Sequence, residues 1–328
     1  MRCDLVLRGA PITEIAVQAA QVEALGFDGV GVTETNGNPF LAAAQAAQGT
    51  STIRVSTAIA LAFPRTPMDV AYTAWDLQAL SGGRFELGLG TQVRAHVERR
   101  YGAAWSRPAA RMREYVMALH AIWDAWENGG DLAFEGEIYR HTLMPPNFRP
   151  PPAAHPRPPL LLAAVRERMT EVAGEVADGL LGHAFCTADV LREVTLPALQ
   201  RGIEWGGRVR EDVEVTASVF VAMSDADWEA NRRRVAFYGS TPGYRHVLDH
   251  HGLGDLFEAL HARSRAGDWT AMPALVDDDV LSLFVARADD PGALAAVVRA
   301  RVGDLADRVC LVAEDGDSAA LAPVAAAL

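Results

Sequence analysis

The stretch SGGRFELGLGTQ, residues 81–92, decides the fold of this 328-residue chain. A double glycine ends the preceding segment, and the run FELGLG that follows has the length of a β-strand. In a strand, Phe85, Leu87 and Leu89 project to one face, whereas Gly88 and Gly90 project to the other. We therefore expect helices to pack against the bulky apolar face, and we expect an unfilled volume beside the glycine face.

The glycines do not match a known phosphate-binding loop. The dinucleotide fingerprint requires a glycine or alanine at position 93, which is a valine. The Walker A loop requires a lysine, and all 30 basic residues of the chain are arginines. Two interpretations of Gly88 and Gly90 remain. They leave a cavity for a ligand, or they accommodate a strand bend or the close approach of another element.

Short β-type runs alternate with longer amphipathic segments through most of the chain. The predicted strands are residues 3–7, 29–33, 53–60, 85–90, 160–164, 179–183, 213–221 and 308–312. Eight strands that alternate with helices predict an α/β fold, a (β/α)8 TIM-type barrel, as one domain over residues 1–328. Two segments, about 129–159 and 224–305, interrupt the alternation. We expect these insertions near the barrel mouth.

Composition excludes several classes of protein. The formal net charge of −12 predicts no nucleic-acid partner, because phosphate binding requires a basic surface. No window approaches the ~18 apolar residues of a membrane span, and the N-terminus has no signal peptide, so we expect a cytoplasmic protein with no membrane partner. The three scattered cysteines predict neither disulfides nor a metal site. The absence of lysine excludes Schiff-base catalysis.

Several spaced motifs resemble the bacterial luciferase-like superfamily. They are GFDGVGVTE at 26–34, NPFLAAAQAAQGTSTIRVSTAIALAFPRTP at 38–67, DLQALSGGRFELGLG at 76–90 and PPLLLAAVRERMTEVAGEVADG at 158–179. The similarity extends over nearly the whole chain, and it is greatest to the branch that uses the deazaflavin coenzyme F420. The resemblance implies a TIM barrel that holds the cofactor ring at the C-terminal mouth and transfers a hydride between coenzyme F420 and a substrate.

The resemblance also implies cofactor contacts at the ends of three strands. The predicted cofactor-binding residues are Ala58, Ile59, Gly88, Gly90, Thr91, Gln92, Ala163, Ala164, Val165 and Arg166. The bond Ala58–Ile59 would be a non-prolyl cis peptide that supports the ring. Val165 and Arg166 would meet the cofactor phosphate at a helix N-terminus, although relatives often have glycines at these positions. The arginines after the fourth strand would help to hold the cofactor tail.

The acid–base residue departs from the family pattern. Many relatives have an acidic residue followed by a histidine after the second strand, whereas this chain has Glu34, Thr35 and Asn36. The predicted catalytic residues near the ring are Glu34 and Thr35. Thr35 does not titrate near neutral pH, so general acid–base catalysis would fall to Glu34 or to a residue elsewhere, or would be unnecessary. A solvated loop carboxylate is the alternative interpretation of Glu34. The predicted substrate-binding residues are His183, Tyr238 and His246.

Three functions are compatible with these observations. The first is coenzyme F420-dependent reduction of an activated C=C, C=N or C=O in a metabolite, natural-product or peptide intermediate. The second is a monooxygenase that uses flavin mononucleotide (FMN) on the same scaffold, and the third is a non-catalytic cofactor-binding protein. The expected partners are a small-molecule or peptide substrate and a second copy of the chain in a homodimer.

Overall fold

Eight parallel strands form a closed barrel in the computed structural model, which describes residues 1–312 and 318–328. The last strand pairs with the first, and the sixth pairs with the seventh, so no edge remains in the ring of eight. The strands are β1 Arg2–Leu7, β2 Gly29–Val32, β3 Arg54–Thr57, β4 Phe85–Gly90, β5 Leu160–Ala164, β6 Gly179–Gly182, β7 Glu214–Ala222 and β8 Arg308–Val312. The predicted (β/α)8 barrel is confirmed.

Helices connect the strands and surround the barrel. They are α1 Ile15–Ala24, α2 Pro39–Gly49, α3 Pro67–Leu80, α4 Arg94–Arg99, α5 Pro108–Asn128, α6 Glu167–Val176, α7 Ala188–Val190, α8 Leu196–Trp205, α9 Asp225–Gly239, α10 Arg245–His250, α11 Gly254–Arg265, α12 Asp278–Phe284, α13 Pro291–Val302 and α14 Ser318–Ala327. Helices α2, α3 and α5 begin with proline, whose fixed φ suits a first helical turn. None of the helices in the described ranges is long and apolar enough to span a bilayer.

The outer face of β4 packs against the helices, as the sequence predicted. Phe85, Leu87 and Leu89 are fully buried in the core that the helices form with the strands. The predicted strand 53–60 is interrupted, because the chain leaves β3 after Thr57 and returns to pair with β4 only at Ala60–Leu61. This interruption lies beside the two glycines of β4.

Inserted segments precede β5 and follow β7. The first contains a hairpin of Phe134–Glu135 and Arg140–His141 that lies along α5, where Tyr139 contacts Arg111. The second contains α9 to α12 and the short strand Val285–Arg287, which pairs with β7. The next helix, α13, is the regular helix that precedes β8.

Charged side chains fill the N-terminal end of the barrel interior. We call this group the floor cluster: Arg2, Asp4, Arg54, Glu86, Glu214 and Arg308. Arg308 is 2% exposed and donates hydrogen bonds to Asp4 at 2.9 Å and to Glu86 at 2.8 and 3.0 Å. It also pairs with Glu214, which in turn pairs with Arg2. Barrels usually hold branched aliphatic side chains in this layer, so the balanced set of three arginines and three carboxylates is a departure from the common packing.

Candidate active site

Gly88 and Gly90 do not leave an open cavity, because neighbouring residues occupy the space beside them. A Cβ atom on Gly88 would lie 1.9 Å from the carbonyl oxygen of Thr57. A Cβ atom on Gly90 would lie 2.3 Å from Cδ1 of Ile59. The prediction that these glycines make direct room for a cofactor ring is therefore wrong, and the alternative, the close approach of another element, is the one observed.

The element that approaches is a bulge formed by residues 57–59. Three residues of the β3 side lie between the pairs Ser56–Glu86 and Ala60–Leu89, whereas β4 contributes only two. The predicted cis peptide bond Ala58–Ile59 lies in this bulge and is confirmed. Ala58 and Ile59 are partly exposed, so the 57–59 bulge forms part of the surface at the C-terminal end of the barrel.

Thr57 replaces the strand hydrogen bonds that the bulge interrupts. Its Oγ1 accepts a hydrogen bond from the Gly88 N–H at 3.0 Å and donates one to the Gly88 carbonyl oxygen at 2.7 Å. Thr57 is fully buried, and a buried backbone group without a partner is costly. One hydroxyl therefore satisfies both backbone groups of Gly88 where β3 leaves the ladder.

Glu34 fixes the chain immediately after the bulge. Its carboxylate is 4% exposed and accepts a hydrogen bond from the Leu61 N–H at 2.8 Å. Arg65 donates to both carboxylate oxygens, at 2.8 and 3.0 Å, and also to the Leu61 carbonyl oxygen at 2.9 Å. Tyr101 donates its hydroxyl to the same carboxylate at 2.8 Å.

These contacts exclude a solvated loop carboxylate as the interpretation of Glu34. Four hydrogen bonds engage its two oxygens, so the geometry favours a residue that positions the bulge. The catalytic role of Glu34 stays a prediction. The sequence did not single out Arg65 or Tyr101, because both lie more than 30 residues from Glu34 in the chain. No local pattern marks such partners.

Thr35 lies in an exposed loop that hydrogen bonds connect to two neighbouring loops, with backbone carbonyl oxygens as the acceptors. Its carbonyl oxygen accepts a hydrogen bond from Arg100 at 2.7 Å. The side chain of Asn36 donates to the Gly9 carbonyl oxygen at 3.3 Å. The loops after β1, β2 and α4 are therefore connected at the mouth. Arg100 is one of the arginines that the sequence assigned to the cofactor tail, and in this arrangement it holds Thr35.

Thr91 and Gln92 follow β4 and are partly exposed at the mouth. Gln92 has a φ of 60°, in the left-handed region that non-glycine residues seldom adopt. Its side-chain oxygen accepts a hydrogen bond from the Val93 N–H at 2.9 Å, and its carbonyl oxygen accepts one from the Thr91 hydroxyl at 3.0 Å. Strained backbone of this kind is frequent where a loop contacts a ligand.

The residues after β5 bring small side chains and a helix N-terminus to the mouth. The Cβ of Ala163 lies 3.6 Å from where a Cβ on Gly90 would stand, so Ala163 faces the barrel interior beside the bulge. Ala164 is buried. Val165 and Arg166 precede α6, whose first backbone N–H groups receive no side-chain cap. Free N–H groups at a helix N-terminus favour an anion.

Part of the second insertion covers this helix N-terminus. Arg166 donates to the carbonyl oxygens of Pro242 at 3.2 Å and Gly243 at 3.4 Å. His246 also lies here, and its Nδ1 atom is buried without a hydrogen-bond partner among residues 1–312 and 318–328. Burial lowers the pKa of His246, and the charge of Arg166 adds to this effect. Of the three predicted substrate residues, His246 is influenced by Arg166, whereas His183 and Tyr238 contact each other.

His183, which follows β6, and Tyr238, which lies in α9, are both predicted to contact the substrate, and their rings are in contact. The His183 ring packs between those of Tyr238 and Tyr244, with centroid distances of 4.6 and 4.7 Å. Nδ1 of His183 accepts a hydrogen bond from the Phe185 N–H at 2.9 Å, so the neutral ring carries its proton on Nε2. Burial, with a smaller effect from Arg8, lowers the pKa of His183 to about 3. His183 is therefore an uncharged donor at neutral pH.

Comparison with known proteins gives one family and three informative similarities. Residues 2–308 match the model of the family described as luciferase-like monooxygenase. The chain is 47% identical over 304 residues to an uncharacterized protein of Mycobacterium tuberculosis. The alignment covers 91% of this chain and 89% of that protein. It is 27% identical over 283 residues to the 5,10-methylenetetrahydromethanopterin reductase of Archaeoglobus fulgidus, with 83% and 81% covered. The structure of the coenzyme F420 dependent tetrahydromethanopterin reductase from Methanopyrus kandleri superimposes with a TM-score of 0.81 over 99% of this chain and 97% of that one, at 22% identity.

Proposed function

Because this chain belongs to the luciferase-like monooxygenase family, we propose that it is a coenzyme F420-dependent oxidoreductase. The reaction is hydride transfer between the deazaflavin and a small organic substrate, in the direction that reduces an activated C=C, C=N or C=O. When bound, the deazaflavin supplies two-electron hydride chemistry, and the protein supplies orientation, charge and exclusion of water.

The 57–59 bulge is the observation that carries this proposal. Ala58 and Ile59 are partly exposed on it, and Ala163 lies beside them without a long side chain. A planar ring system can lie against such a surface because Ala58 and Ala163 carry only methyl side chains. Glu34 and Arg65 hold Leu61, two residues after the bulge, at its N–H and its carbonyl oxygen, respectively. The support for the ring is therefore fixed in position before a ligand binds.

The residues at the start of α6 fit the anionic part of the same cofactor. The uncapped N–H groups and the Arg166 guanidinium favour a phosphate. Only β4 separates these groups, which follow β5, from the bulge, which lies on the β3 side. A ring on the bulge and a phosphate at α6 would thus belong to one extended molecule.

The choice of coenzyme F420 over FMN rests on the relatives. Two of the proteins described above are reductases of tetrahydromethanopterin derivatives, and the solved one is described as coenzyme F420 dependent. Their identities of 27% and 22% support the cofactor without identifying the substrate. The pterin substrate is accordingly not part of the proposal.

Fluorescence quenching titrations with coenzyme F420 and with FMN test the proposal. We expect the wild-type protein to bind coenzyme F420 at least ~10-fold more tightly than FMN, a difference of about 1.4 kcal/mol. Ala163→Leu places a larger side chain beside the bulge and should weaken coenzyme F420 binding by a similar factor. Ala133→Leu, at an exposed position, is the matched control and should bind as wild type does. Tighter binding of FMN, with oxygen consumption, would instead identify a flavin monooxygenase.

A further inference from the structure

The second insertion contacts the start of α6, where we place the cofactor phosphate, through the side chain of Arg166. Nε of Arg166 donates a hydrogen bond to the Gly243 carbonyl oxygen at 3.4 Å, and Nη2 donates one to the Pro242 carbonyl oxygen at 3.2 Å. Both carbonyl groups belong to the short 3-10 helix Pro242–Tyr244, which we call the 242–244 turn. A segment 76 residues away in the chain therefore holds the residue that precedes α6.

This contact leaves one edge of the Arg166 guanidinium free. A guanidinium carries five N–H donors in a fixed planar fork. The 242–244 turn engages the edge formed by Nε and Nη2, whereas Nη1 donates to no residue in the ranges 1–312 and 318–328. The other edge, formed by Nη1 and Nη2, can bind two oxygens of one phosphate side by side. The turn thus fixes the guanidinium without competing with an anion for it.

The advantage of such a fixed guanidinium is entropic. Arg166 is exposed, and a free arginine side chain on a surface samples many rotamers that anion binding would have to restrict. A side chain that is already held loses less conformational entropy when the ligand arrives. The neighbouring carboxylate does not cancel the charge of Arg166, because Glu167 pairs with Arg201 at 2.7 Å.

The 242–244 turn is itself anchored to the barrel mouth. The ring of Tyr244 packs against the rings of His183 and Phe185, with centroid distances of 4.7 and 5.6 Å. Nδ1 of His261 lies 2.9 Å from the Ser240 carbonyl oxygen, which accepts its hydrogen bond just before the turn. The carbonyl groups that hold Arg166 are therefore fixed relative to the end of β6.

We propose that the 242–244 turn positions Arg166 for the cofactor phosphate, so that the second insertion is part of the cofactor site. Arg166 binds the phosphate, and the turn acts through Arg166. Because Tyr244 also packs on His183, the same turn connects the phosphate position to one of the predicted substrate residues. This inference rests on the proposed function, since it identifies the segment that prepares the anion site of the same cofactor.

Fluorescence titrations with two probes test this positioning role. One probe is coenzyme F420, and the other is its deazaflavin–ribityl fragment, which lacks the phosphate and the tail attached to it. Arg166→Gln should weaken coenzyme F420 binding by ~10-fold, because the charge-assisted bonds are lost, and should leave binding of the fragment within ~2-fold of wild type.

Pro242→Gly loosens the turn but keeps both carbonyl groups. It should weaken coenzyme F420 binding by ~5-fold and leave binding of the fragment within ~2-fold of wild type. In the Arg166→Gln background, Pro242→Gly should cause no further loss, because the turn acts through Arg166. Pro146→Gly is the matched control, since Pro146 also begins a three-residue 3-10 helix, in the first insertion, and both affinities should stay at their wild-type values.

Four outcomes would overturn the inference. They are unchanged coenzyme F420 affinity in Arg166→Gln, unchanged coenzyme F420 affinity in Pro242→Gly, equal losses for both probes in Pro242→Gly, and a full additional loss when Pro242→Gly is combined with Arg166→Gln. The third would assign the turn to the ring, and the fourth would make its effect independent of Arg166. Wild type is titrated first, and its failure to bind either probe would refute the proposed function instead.

Discussion

Replacement of Gly88 by alanine tests whether the β4 glycines exist to accommodate the bulge. The new Cβ would lie 1.9 Å from the Thr57 carbonyl oxygen and 3.0 Å from Cδ1 of Leu181. Real Cβ atoms essentially never approach other heavy atoms closer than 3.0 Å, so the Thr57 backbone and β4 must separate by at least 1.1 Å. The clash involves backbone, which cannot rotate away as a side chain can.

The cost follows from the rigidity of that contact. Overpacking a core by one methyl group typically costs about 1–3 kcal/mol. We expect Gly88→Ala to lower the free energy of unfolding by about 3 kcal/mol, because the separation also breaks the two hydrogen bonds between Thr57 and Gly88. Coenzyme F420 affinity should fall by ~10-fold or more, since binding surfaces must keep their geometry to within about 0.5 Å.

Two matched glycine variants separate this effect from a general loss of glycine. At Gly90 the added Cβ meets the end of the flexible Ile59 side chain, so Gly90→Ala should cost less than about 1.5 kcal/mol. At Gly130 nothing lies within 4 Å, and Gly130→Ala should leave stability unchanged within about 0.5 kcal/mol. Urea denaturation and cofactor titration measure both quantities. Wild-type stability and affinity in Gly88→Ala would refute the reasoning.

Two further predictions concern the carboxylates of Glu34 and Glu23. Glu34→Gln leaves the Arg65 guanidinium, which is 16% exposed, without its anion, so the free energy of unfolding should fall by about 3 kcal/mol. Urea denaturation measures this loss. A loss below about 1 kcal/mol would contradict the positioning role of Glu34. Partial burial opposes ionisation of Glu23, but hydrogen bonds from the N–H groups of Thr52, Ser51 and Ile53 lower its pKa from 4.5 to about 2. The stability that Glu23 contributes is therefore present above pH 4.5 and is lost as the pH falls towards 2. The free energy of unfolding of Glu23→Gln should depend less on pH over that interval than that of wild type. An unchanged pH dependence would show that the ionised Glu23 carboxylate does not stabilise the fold.

The barrel could be predicted because its signals are local. Alternation of short apolar runs with helical segments requires only neighbouring residues, and the burial of Phe85, Leu87 and Leu89 follows from the period of two. The cis bond at Ala58–Ile59 was predicted by resemblance, not by spacing. The homodimer and the cytoplasmic location stay predictions.

The contents of the barrel could not be predicted in the same way. A glycine indicates that space is needed, but the atom that needs it, the Thr57 carbonyl oxygen, comes from another strand. The partners of Glu34 lie 27 to 67 residues away in the chain. Without the distances between strands, two glycines facing inwards are equally compatible with a ligand and with packed backbone.

The floor cluster makes the barrel depend on the last strand to be synthesised. Arg308 belongs to β8, whereas its partners Asp4 and Glu86 lie in β1 and β4. A nascent chain that lacks β8 would hold three carboxylates against only two arginines, with the ring still open between β7 and β1. Arrival of Arg308 supplies the missing positive charge and closes the ring in the same event. The floor cluster therefore reaches charge balance only once β8, the last of the eight barrel strands, has joined the barrel.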